Sequence, residues 1–350
     1  MSVPRVTVLT TVYNGARYLE EAIDSIRAEE FQDFEHVIVD DGSTDATPQI
    51  LARATARDSR IVLVRTETNH GIASAANRGL AIARGEYIAR LDADDISLPG
   101  RLAREVAVLD AHPHVVLVSM NYESIDAHGV VIGRSHRDHP SAVLAYLLNF
   151  SNSIGGHSQV MFRKSVIHAV GGYDETCRAG LDYDLWTRIV PHGRIVVLPE
   201  LGMRYRVHGE SITRNGSGQQ VAVAKRIVQR TLSEWLGRTL SDREVDALMH
   251  AWRPLVPAID AKLADAILRE AFALFREREP DQRMHRIVRK LTARRLINTS
   301  VLLLAKGDVG NALRHGLQAL RWDAWMSIVR VLQVGKAKAA SWNARRFRVR

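Results

Sequence analysis

Short apolar runs alternate with amphipathic segments along the first hundred residues. The runs, which predict buried strands because they are rich in β-branched residues, are 6–12, 34–39, 61–64 and 86–91. Apolar positions recur at helical spacing over 18–26, around Ile50 and Leu51, and over 72–83. We expect Ser43 or Thr44 to cap the second of these helices. Alternating strands and helices with short turns predict a mostly parallel sheet in an α/β domain.

The pattern continues less regularly to about residue 215. Pro99 is expected to open a helix that runs to about His112, and Asp182 to begin another over 183–189. A short helix is predicted over 165–170. Further apolar runs, predicted as strands, are 115–120, 159–162, 195–198 and 203–207. Residues 121–158 show no clear periodicity.

The sequence pattern and composition change near Gly216. Strand signals end there, and the remainder is rich in Arg, Ala and Leu at helical spacing. This change predicts a boundary between a first domain, 1–215, and a helical, basic C-terminal region, 216–350. Within the first domain we expect two halves, 1–112 and 113–215.

Composition narrows the functional classes. The chain has 350 residues, a formal net charge of +9 and a pI of about 9.9, which indicates an anionic partner. A single cysteine, Cys177, excludes an intrachain disulfide and a thiolate metal cage. The N-terminus lacks the apolar core of a signal peptide, and no apolar run approaches the roughly 20 residues of a membrane span. We therefore expect a cytoplasmic protein.

Polar clusters follow three of the predicted strands. They are Tyr13-Asn14, Asp40-Asp41 and the acidic stretch Leu91-Asp92-Ala93-Asp94-Asp95. Ligands of open α/β sheets bind beyond the carboxyl ends of the strands, which is where these residues fall. Closely spaced carboxylates favour Mg²⁺ or Mn²⁺, although a solvated acidic turn is the simpler alternative. Neither GxGxxG nor GxxxxGK[ST] follows the first strand.

The series of motifs as a whole resembles the family 2 glycosyltransferases, which have the GT-A fold. It consists of Thr10-Thr11-Val12-Tyr13-Asn14, Val39-Asp40-Asp41-Gly42-Ser43-Thr44-Asp45, Asn69-His70-Gly71, Asn77-Arg78-Gly79, Ala83-Arg84-Gly85-Glu86-Tyr87-Ile88, Leu91-Asp92-Ala93-Asp94-Asp95, Gly171-Gly172-Tyr173-Asp174-Glu175, Leu181-Asp182-Tyr183-Asp184-Leu185-Trp186 and Tyr205-Arg206-Val207-His208. The resemblance covers about 4–215 and implies a Rossmann-like mixed sheet flanked by helices. It does not extend to the helical C-terminal region.

The resemblance implies a nucleotide-sugar-binding half, 1–112, and an acceptor-binding half, 113–215. Thr11 and Tyr13 would contact the nucleoside, with Tyr13 stacking on the base. Asp41 would accept hydrogen bonds from a uracil edge, and Asp92 would hold the ribose or the metal. Asn77 is expected near the nucleotide or as a support of its loop; Ala76 stands before it, where the family often has Arg.

The resemblance also implies the catalytic groups. Asp94, with Asp92 and His208, would bind Mn²⁺ or Mg²⁺ between the two donor phosphates, and a structural hydrogen bond is the alternative role of His208. Asp182 would be the general base, with a helix cap as its alternative role and Asp184 as the other candidate acid. Leu181 stands where many members have Glu, which weakens any role for a paired acid.

The leading hypothesis is therefore an inverting, metal-dependent glycosyltransferase. It would use a nucleotide-diphosphate sugar, UDP-linked by preference, and a glycan or lipid-linked acceptor in cell-surface or exopolysaccharide synthesis. One alternative is a nucleotidyltransferase, which the lack of a Gly-rich loop containing Arg and Lys after the first strand disfavours. The other is a non-catalytic protein that binds anionic surfaces.

The basic C-terminal region suggests a second kind of partner. Lys336 to Arg350 contains basic and no acidic residues, and the Arg-rich helices carry Trp252, Trp322, Trp325 and Trp342. These features favour peripheral contact with anionic lipid at the inner face of the membrane. Nucleic acid is not expected, because the acidic clusters of the first domain would repel its phosphates.

Overall fold

A computed structural model of the chain describes residues 3–177, 179–209, 217–252 and 260–328. It divides into two compact units, one of residues 1–148 and 152–224, the other of 149–151 and 225–350. The predicted boundary between 215 and 216 falls outside the described residues. That boundary, like the division of the first domain at 112, stays a prediction.

A mixed sheet organises the first unit. Its strands are β1 (Val6–Val12), β2 (Phe34–Asp40), β3 (Ile61–Arg65), β4 (Tyr87–Arg90), β5 (Ile96–Ser97), β6 (Val115–Ile125), β7 (Val131–Arg134), β8 (Val160–Arg163) and β9 (Arg194–Arg206). Their order is β3-β2-β1-β4-β8-β6-β9-β5, with β7 paired to β6. The neighbours among β1 to β4 are parallel, whereas β8 runs antiparallel to β4 and β6. The parallel sheet that the alternating pattern predicts is thus only one part of a larger mixed sheet.

Helices flank this sheet, and all but the one over 141–148 lie where the sequence predicts them. They are α1 (Leu19–Arg27), α2 (Thr47–Arg57), α3 (Ile72–Ile82), α4 (Arg101–Ala111), α5 (Ser141–Leu148), α6 (Lys164–Ala169) and α7 (Leu181–Ile189). Every residue of β1 is buried, and Ala22 and Ile26 of α1 pack with Val6 and Val8. Apolar side chains at helical spacing therefore cover the buried strand that the sequence pattern predicts.

Three details differ from expectation. Helix α2 begins at Thr47, with Asp45 Oδ1 accepting from the Thr47 N–H at 2.9 Å, so the predicted cap by Ser43 or Thr44 is wrong. Helix α4 begins two residues after Pro99. The two short strands predicted at 195–198 and 203–207 form the single strand β9, which passes through Pro199.

The rest of the described chain is helical, as predicted. From residue 217 the helices are α8 (Ser217–Leu236), α9 (Asp242–Trp252), α10 (Ala261–Arg278), α11 (Gln282–Ala305) and α12 (Val309–Trp322). Trp252 and Trp322 are each 3% exposed, so these two of the predicted membrane-facing tryptophans lie in the core of the second unit. Trp342 and the basic segment 336–350 fall outside the described residues. Among the helices described, none combines the length and hydrophobicity needed to cross a bilayer.

Candidate active site

The carboxyl ends of β1, β2 and β4 meet at one edge of the sheet. In the parallel registers, Thr11 is opposite Val39 and Leu9 is opposite Arg90. The polar residues that follow each strand are therefore brought together, as the sequence predicts. Thr11 is buried, whereas the ring of Tyr13 is half exposed and accessible to a ligand.

Asn14 ties the loop after β1 to the loop after β2. It has a positive φ of 51°, a turn conformation that asparagine tolerates better than most residues. Its Oδ1 accepts from the Thr44 N–H at 2.8 Å, and its own N–H donates to Ser43 Oγ at 2.9 Å. Asn14 thus forms the turn after β1, and Ser43 supports this loop.

Asp41 is buried beneath the turn that opens α3. Its Oδ2 accepts from the backbone N–H groups of His70 and Gly71 at 3.0 and 2.8 Å, and its Oδ1 accepts from the hydroxyl of Thr66 at 3.1 Å. The carboxylate therefore fixes the Asn69-His70-Gly71 turn. A contact of Asp41 with uracil stays a prediction.

Asn77, on α3, holds the loop at 171–175. Its Nδ2 donates to the carbonyl of Tyr173 and to Glu175 Oε1, each at 2.9 Å, and its Oδ1 accepts from the Tyr173 N–H at 2.8 Å. Gly172 has a φ of 73°, and a Cβ there would lie 2.7 Å from Asn77 Oδ1. The geometry matches the loop-supporting role, and a nucleotide contact stays a prediction.

A buried arginine compensates the first acid of the acidic stretch. Arg90 is fully buried, and its Nη1 donates to the carbonyl of Leu9 at 2.9 Å while its Nη2 donates to Asp92 Oδ1 at 3.2 Å. The Asp92 N–H donates to Ser158 Oγ at 2.9 Å. Asp92 is thereby held on both sides, yet about a third of its side chain remains exposed.

Asp94 and His208 form a pair. Asp94 Oδ2 lies 2.9 Å from His208 Nε2. Burial, and then the charge of Asp92, raises the pKa of Asp94. The pair is compatible both with joint metal ligation and with the structural hydrogen bond considered for His208.

Asp95 is built into the fold. It is 1% exposed, and its Oδ1 accepts from the Arg206 N–H of β9 at 2.8 Å. Burial and the charges of Asp94 and Asp92 raise its pKa. Asp95 therefore anchors the acidic stretch to β9, which leaves Asp92 and Asp94 as the accessible carboxylates.

Asp182 lies in the first turn of α7, where a side chain from another loop fixes it. Asn152 Nδ2 donates to Asp182 Oδ2 at 2.8 Å, and the Tyr183 N–H donates to Oδ1 at 2.8 Å. Burial, helped by the charge of Asp92, raises the pKa of Asp182 to about 6. The charge of Asp92 thus contributes to the raised pKa of both Asp94 and Asp182.

Asp184, the other candidate base, is occupied elsewhere. It is 2% exposed and forms an ion pair with Arg188 of the same helix at 2.8 Å. Potential ligand atoms of Asp174, Cys177 and Asp184 do lie within 4.8 Å of one another. Arg188 already neutralises one member of that group, so Asp92 and Asp94 remain the stronger metal candidates.

Sequence reasoning missed Arg90, Asn152 and Ser158. Arg90 lies inside a predicted strand and carries no motif of its own. Asn152 and Ser158 fall within the stretch 121–158 that lacks periodicity. A lone polar residue in such a stretch gives no signal until the fold brings it to a carboxylate.

The site can now be compared with known proteins. Residues 7–171 match the family model described as glycosyl transferase family 2. A Bacillus subtilis protein named as glycosyltransferase EpsE is 35% identical over 193 residues, which cover 54% of this chain and 68% of EpsE. The succinoglycan biosynthesis protein ExoO of Rhizobium meliloti is 34% identical over 61% of this chain, and the chain spans 63% of ExoO.

Solved structures share the fold. S. aureus TarS 1–349 in complex with UDP-GlcNAc superposes with a TM-score of 0.56 at 18% identity, over 91% of each chain. The mannosyltransferase PcManGT from Pyrobaculum calidifontis, in complex with GDP-Man and Mn²⁺, superposes with a TM-score of 0.51 at 19% identity, over 91% of this chain and 88% of that one. These likenesses confirm the expected GT-A fold.

Proposed function

The chain belongs to glycosyltransferase family 2, and we propose that it transfers a sugar with inversion from a nucleotide-diphosphate donor to an acceptor hydroxyl. The observation that carries this proposal is that the candidate acids fall into two groups with different partners. Asp182 accepts from Asn152 and from the Tyr183 N–H, whereas Asp92 contacts Arg90 and Asp94 contacts His208. Inverting displacement needs such a division, with a base at the attacking oxygen and positive charge at the leaving group.

Asp182 is the proposed general base. A group with a pKa of about 6 is ionised at neutral pH and is more basic than an ordinary aspartate. Proton transfer is most effective when the pKa of the base lies near the working pH. Asn152 fixes the direction of the carboxylate, so that one oxygen can accept the proton of the acceptor hydroxyl.

Asp92, Asp94 and His208 are the proposed ligands of Mn²⁺ or Mg²⁺. The residues fit a hard divalent cation, because they offer two partly exposed carboxylates and an imidazole. A cation would also relieve the repulsion that raises the pKa of Asp94. When bound, it supplies charge stabilisation to the departing nucleoside diphosphate. The chain's own part is to hold these side chains through Arg90, Ser158 and β9.

The donor site is proposed at the ends of β1 and β2. Thr11 and the exposed ring of Tyr13 contact the nucleoside, and Asp92 reaches the ribose or the metal. Asp41 and Asn77 contribute through the loops that they hold. We favour a UDP-sugar as the donor, like the UDP-GlcNAc in the TarS complex. A GDP-sugar, like the GDP-Man in the PcManGT complex, is the comparison case.

The acceptor is proposed to be a glycan or a lipid-linked glycan. Similarity to a succinoglycan biosynthesis protein supports polysaccharide synthesis, in which sugars are added to a growing chain. We also propose that the protein works in the cytoplasm, at the inner face of the membrane.

The proposal is tested by the identity of the released product. Purified protein is incubated with UDP- and GDP-sugars, with Mn²⁺ or chelator, and with lipid-linked glycan acceptors. We expect metal-dependent release of nucleoside diphosphate. Release of pyrophosphate would contradict the proposal and indicate nucleotidyl transfer.

Two variants distinguish the acids. Asp182→Asn should abolish transfer while donor binding persists, since it removes only the base. Asp174→Asn is the matched control, because this aspartate belongs to the other group of potential metal ligands and bonds locally to Thr176. Normal turnover by Asp182→Asn, or loss of metal dependence in Asp174→Asn, would overturn the assignment.

A further inference from the structure

Helix α12 has one buried face and an opposite face that is apolar but exposed. Its inner face, with Ala312, Ala319 and Trp322, is buried in the second unit. Its outer face carries a row of exposed apolar side chains, which we call the α12 stripe: Val309, Leu313, Leu317 and Leu320, with exposures of 53, 62, 60 and 42%. Spacings of three and four residues place these side chains on one side of the helix. Single exposed leucines are ordinary, but a continuous row indicates a binding surface.

Further exposed apolar side chains lie on either side of α12 along the chain. Trp325 and Ile328, which follow the helix, are 73 and 51% exposed. At the other end, Leu302 and Leu304 near the end of α11 are each 49% exposed. Tryptophan favours the boundary between a membrane and water, where its ring is apolar and its N–H can reach a polar group.

Positive charge is concentrated in the same segment. Residues 282–328 contain nine Lys and Arg and two acidic residues, Asp308 and Asp323, so nine minus two gives +7 of the formal net charge of +9. The basic residues of α11 are all exposed: Arg283, Arg286, Arg289, Lys290, Arg294 and Arg295. On α12, Arg314 and Arg321 are exposed beside the stripe.

We propose that the α12 stripe binds the surface of an anionic lipid bilayer. Its leucines enter the boundary between headgroups and acyl chains, and the flanking arginines reach the anionic headgroups through their apolar stems. This interaction site is independent of the proposed catalytic residues. The α12 stripe, rather than the buried Trp252 and Trp322, is then the surface that faces the lipid.

The charge and the apolar row together select this partner. A second copy of the chain would place one segment of +7 against another, which costs free energy at moderate salt. A nucleic acid would satisfy the arginines but leave the row of leucines and Trp325 exposed. An anionic membrane satisfies both, because it offers negative headgroups over an apolar interior.

Vesicle co-sedimentation of the full chain tests the proposal. The probes are vesicles of phosphatidylcholine alone and of phosphatidylcholine with phosphatidylglycerol. We expect binding to the anionic vesicles that weakens with added salt and little binding to the neutral ones. Failure of the wild-type chain to bind anionic vesicles would overturn the proposal.

Matched variants locate the surface. Leu313→Glu with Leu317→Glu should lower binding to anionic vesicles by about tenfold or more, because it places charge at the apolar boundary. The control is Val130→Glu with Ile132→Glu, two residues of the first unit that are 60 and 58% exposed. Equal binding by both variants, or equal loss in both, would contradict the assignment.

A charge variant keeps the test decisive if the leucine variant fails to fold. Arg314→Gln with Arg321→Gln should reduce binding to anionic vesicles by about tenfold and weaken its salt dependence. Light scattering of the free protein completes the series. A wild-type dimer that the leucine substitutions convert to a monomer, without vesicle binding by either, would show that the stripe is a self-association surface and overturn the proposal.

Discussion

The hydrogen bond from Asn152 to Asp182 gives the account a quantitative test. This bond, 2.8 Å long, favours the ionised form of a carboxylate whose pKa is already about 6. A hydrogen bond to a charged group is worth about 1.5–3 kcal/mol, and one pKa unit corresponds to about 1.4 kcal/mol. Because Asp182 is partly exposed, water replaces part of the lost bond. Asn152→Ala should therefore raise the pKa of Asp182 by about one unit, to about 7.

The consequence is a shifted pH profile. A general base works when ionised, so activity is present above the pKa and is lost as the pH falls through it. The ionised fraction in the variant relative to wild type falls about fivefold at about pH 6 and about twofold at about pH 7. It is unchanged at about pH 9. The assay is the rate of nucleoside diphosphate release at saturating donor and acceptor.

Ser153→Ala is the matched control. Ser153 neighbours Asn152 in the same loop, and its hydroxyl donates to the carbonyl of Leu144 at 3.1 Å, without a bond to Asp182. Ser153→Ala should leave the acidic limb of the pH profile of activity in place. A uniform loss of activity at every pH in Asn152→Ala, with an unmoved acidic limb, would refute the reasoning and leave Asn152 a purely structural role through Gly155.

Three further variants test other parts of the site and fold. Burial lowers the pKa of His36 to about 3, so between about pH 6.5 and about pH 5 this imidazole gains a proton only in the unfolded chain. The free energy of unfolding should therefore fall by about 2 kcal/mol over that range. In urea titrations, the free energy of unfolding of His36→Gln should lack this decrease. A decrease equal to that of the wild type would contradict the prediction. Asp41→Asn should weaken both UDP and CDP binding in calorimetry, because it loosens the turn at His70, and should weaken UDP binding more, because uracil loses a hydrogen-bond acceptor; equal loss for both nucleotides would contradict the contact with uracil. Gly172→Ala should lower the free energy of unfolding by about 1–2 kcal/mol, because its backbone is left-handed and a Cβ meets Asn77. Unchanged denaturation would refute that contact.

The sequence predicts elements best where burial is periodic or where a short β-branched run is buried throughout. β1 is found at the predicted residues, because a short β-branched run that is buried throughout favours a strand over a helix. Helix α5 was missed, since its residues are almost all apolar and Val143, Leu144 and Tyr146 are buried around it. A helix that is covered on every side has no amphipathic period to detect.

β9 shows how tertiary contacts override a local signal. Pro199 cannot donate to a ladder and predicts a break. In the structure the β6–β9 register shifts nearby, and Asn121 Nδ2 donates to the carbonyls of Leu198 and Pro199, each at 3.2 Å. A side chain far away in sequence thus maintains the strand, and no local pattern contains that information.

The residues of the candidate site also differ in how well the sequence predicts them. Asp92, Asp94 and Asp182 were found because they occur in motifs at strand and helix ends. Arg90 and Asn152 were not, because their roles exist only once the fold brings them to those carboxylates. Sequence therefore indicates the proposed reacting groups, whereas the structure supplies the side chains that contact them.

Calorimetric binding of UDP tests the central claim most directly. UDP is titrated with Mn²⁺ and with chelator into the wild type, Asp182→Asn and Asp94→Asn. The account predicts Mn²⁺-dependent binding by the wild type and by Asp182→Asn, and its loss in Asp94→Asn, because the metal site and the base are separate. Binding that persists with chelator and in Asp94→Asn, or loss of binding in Asp182→Asn, would contradict it.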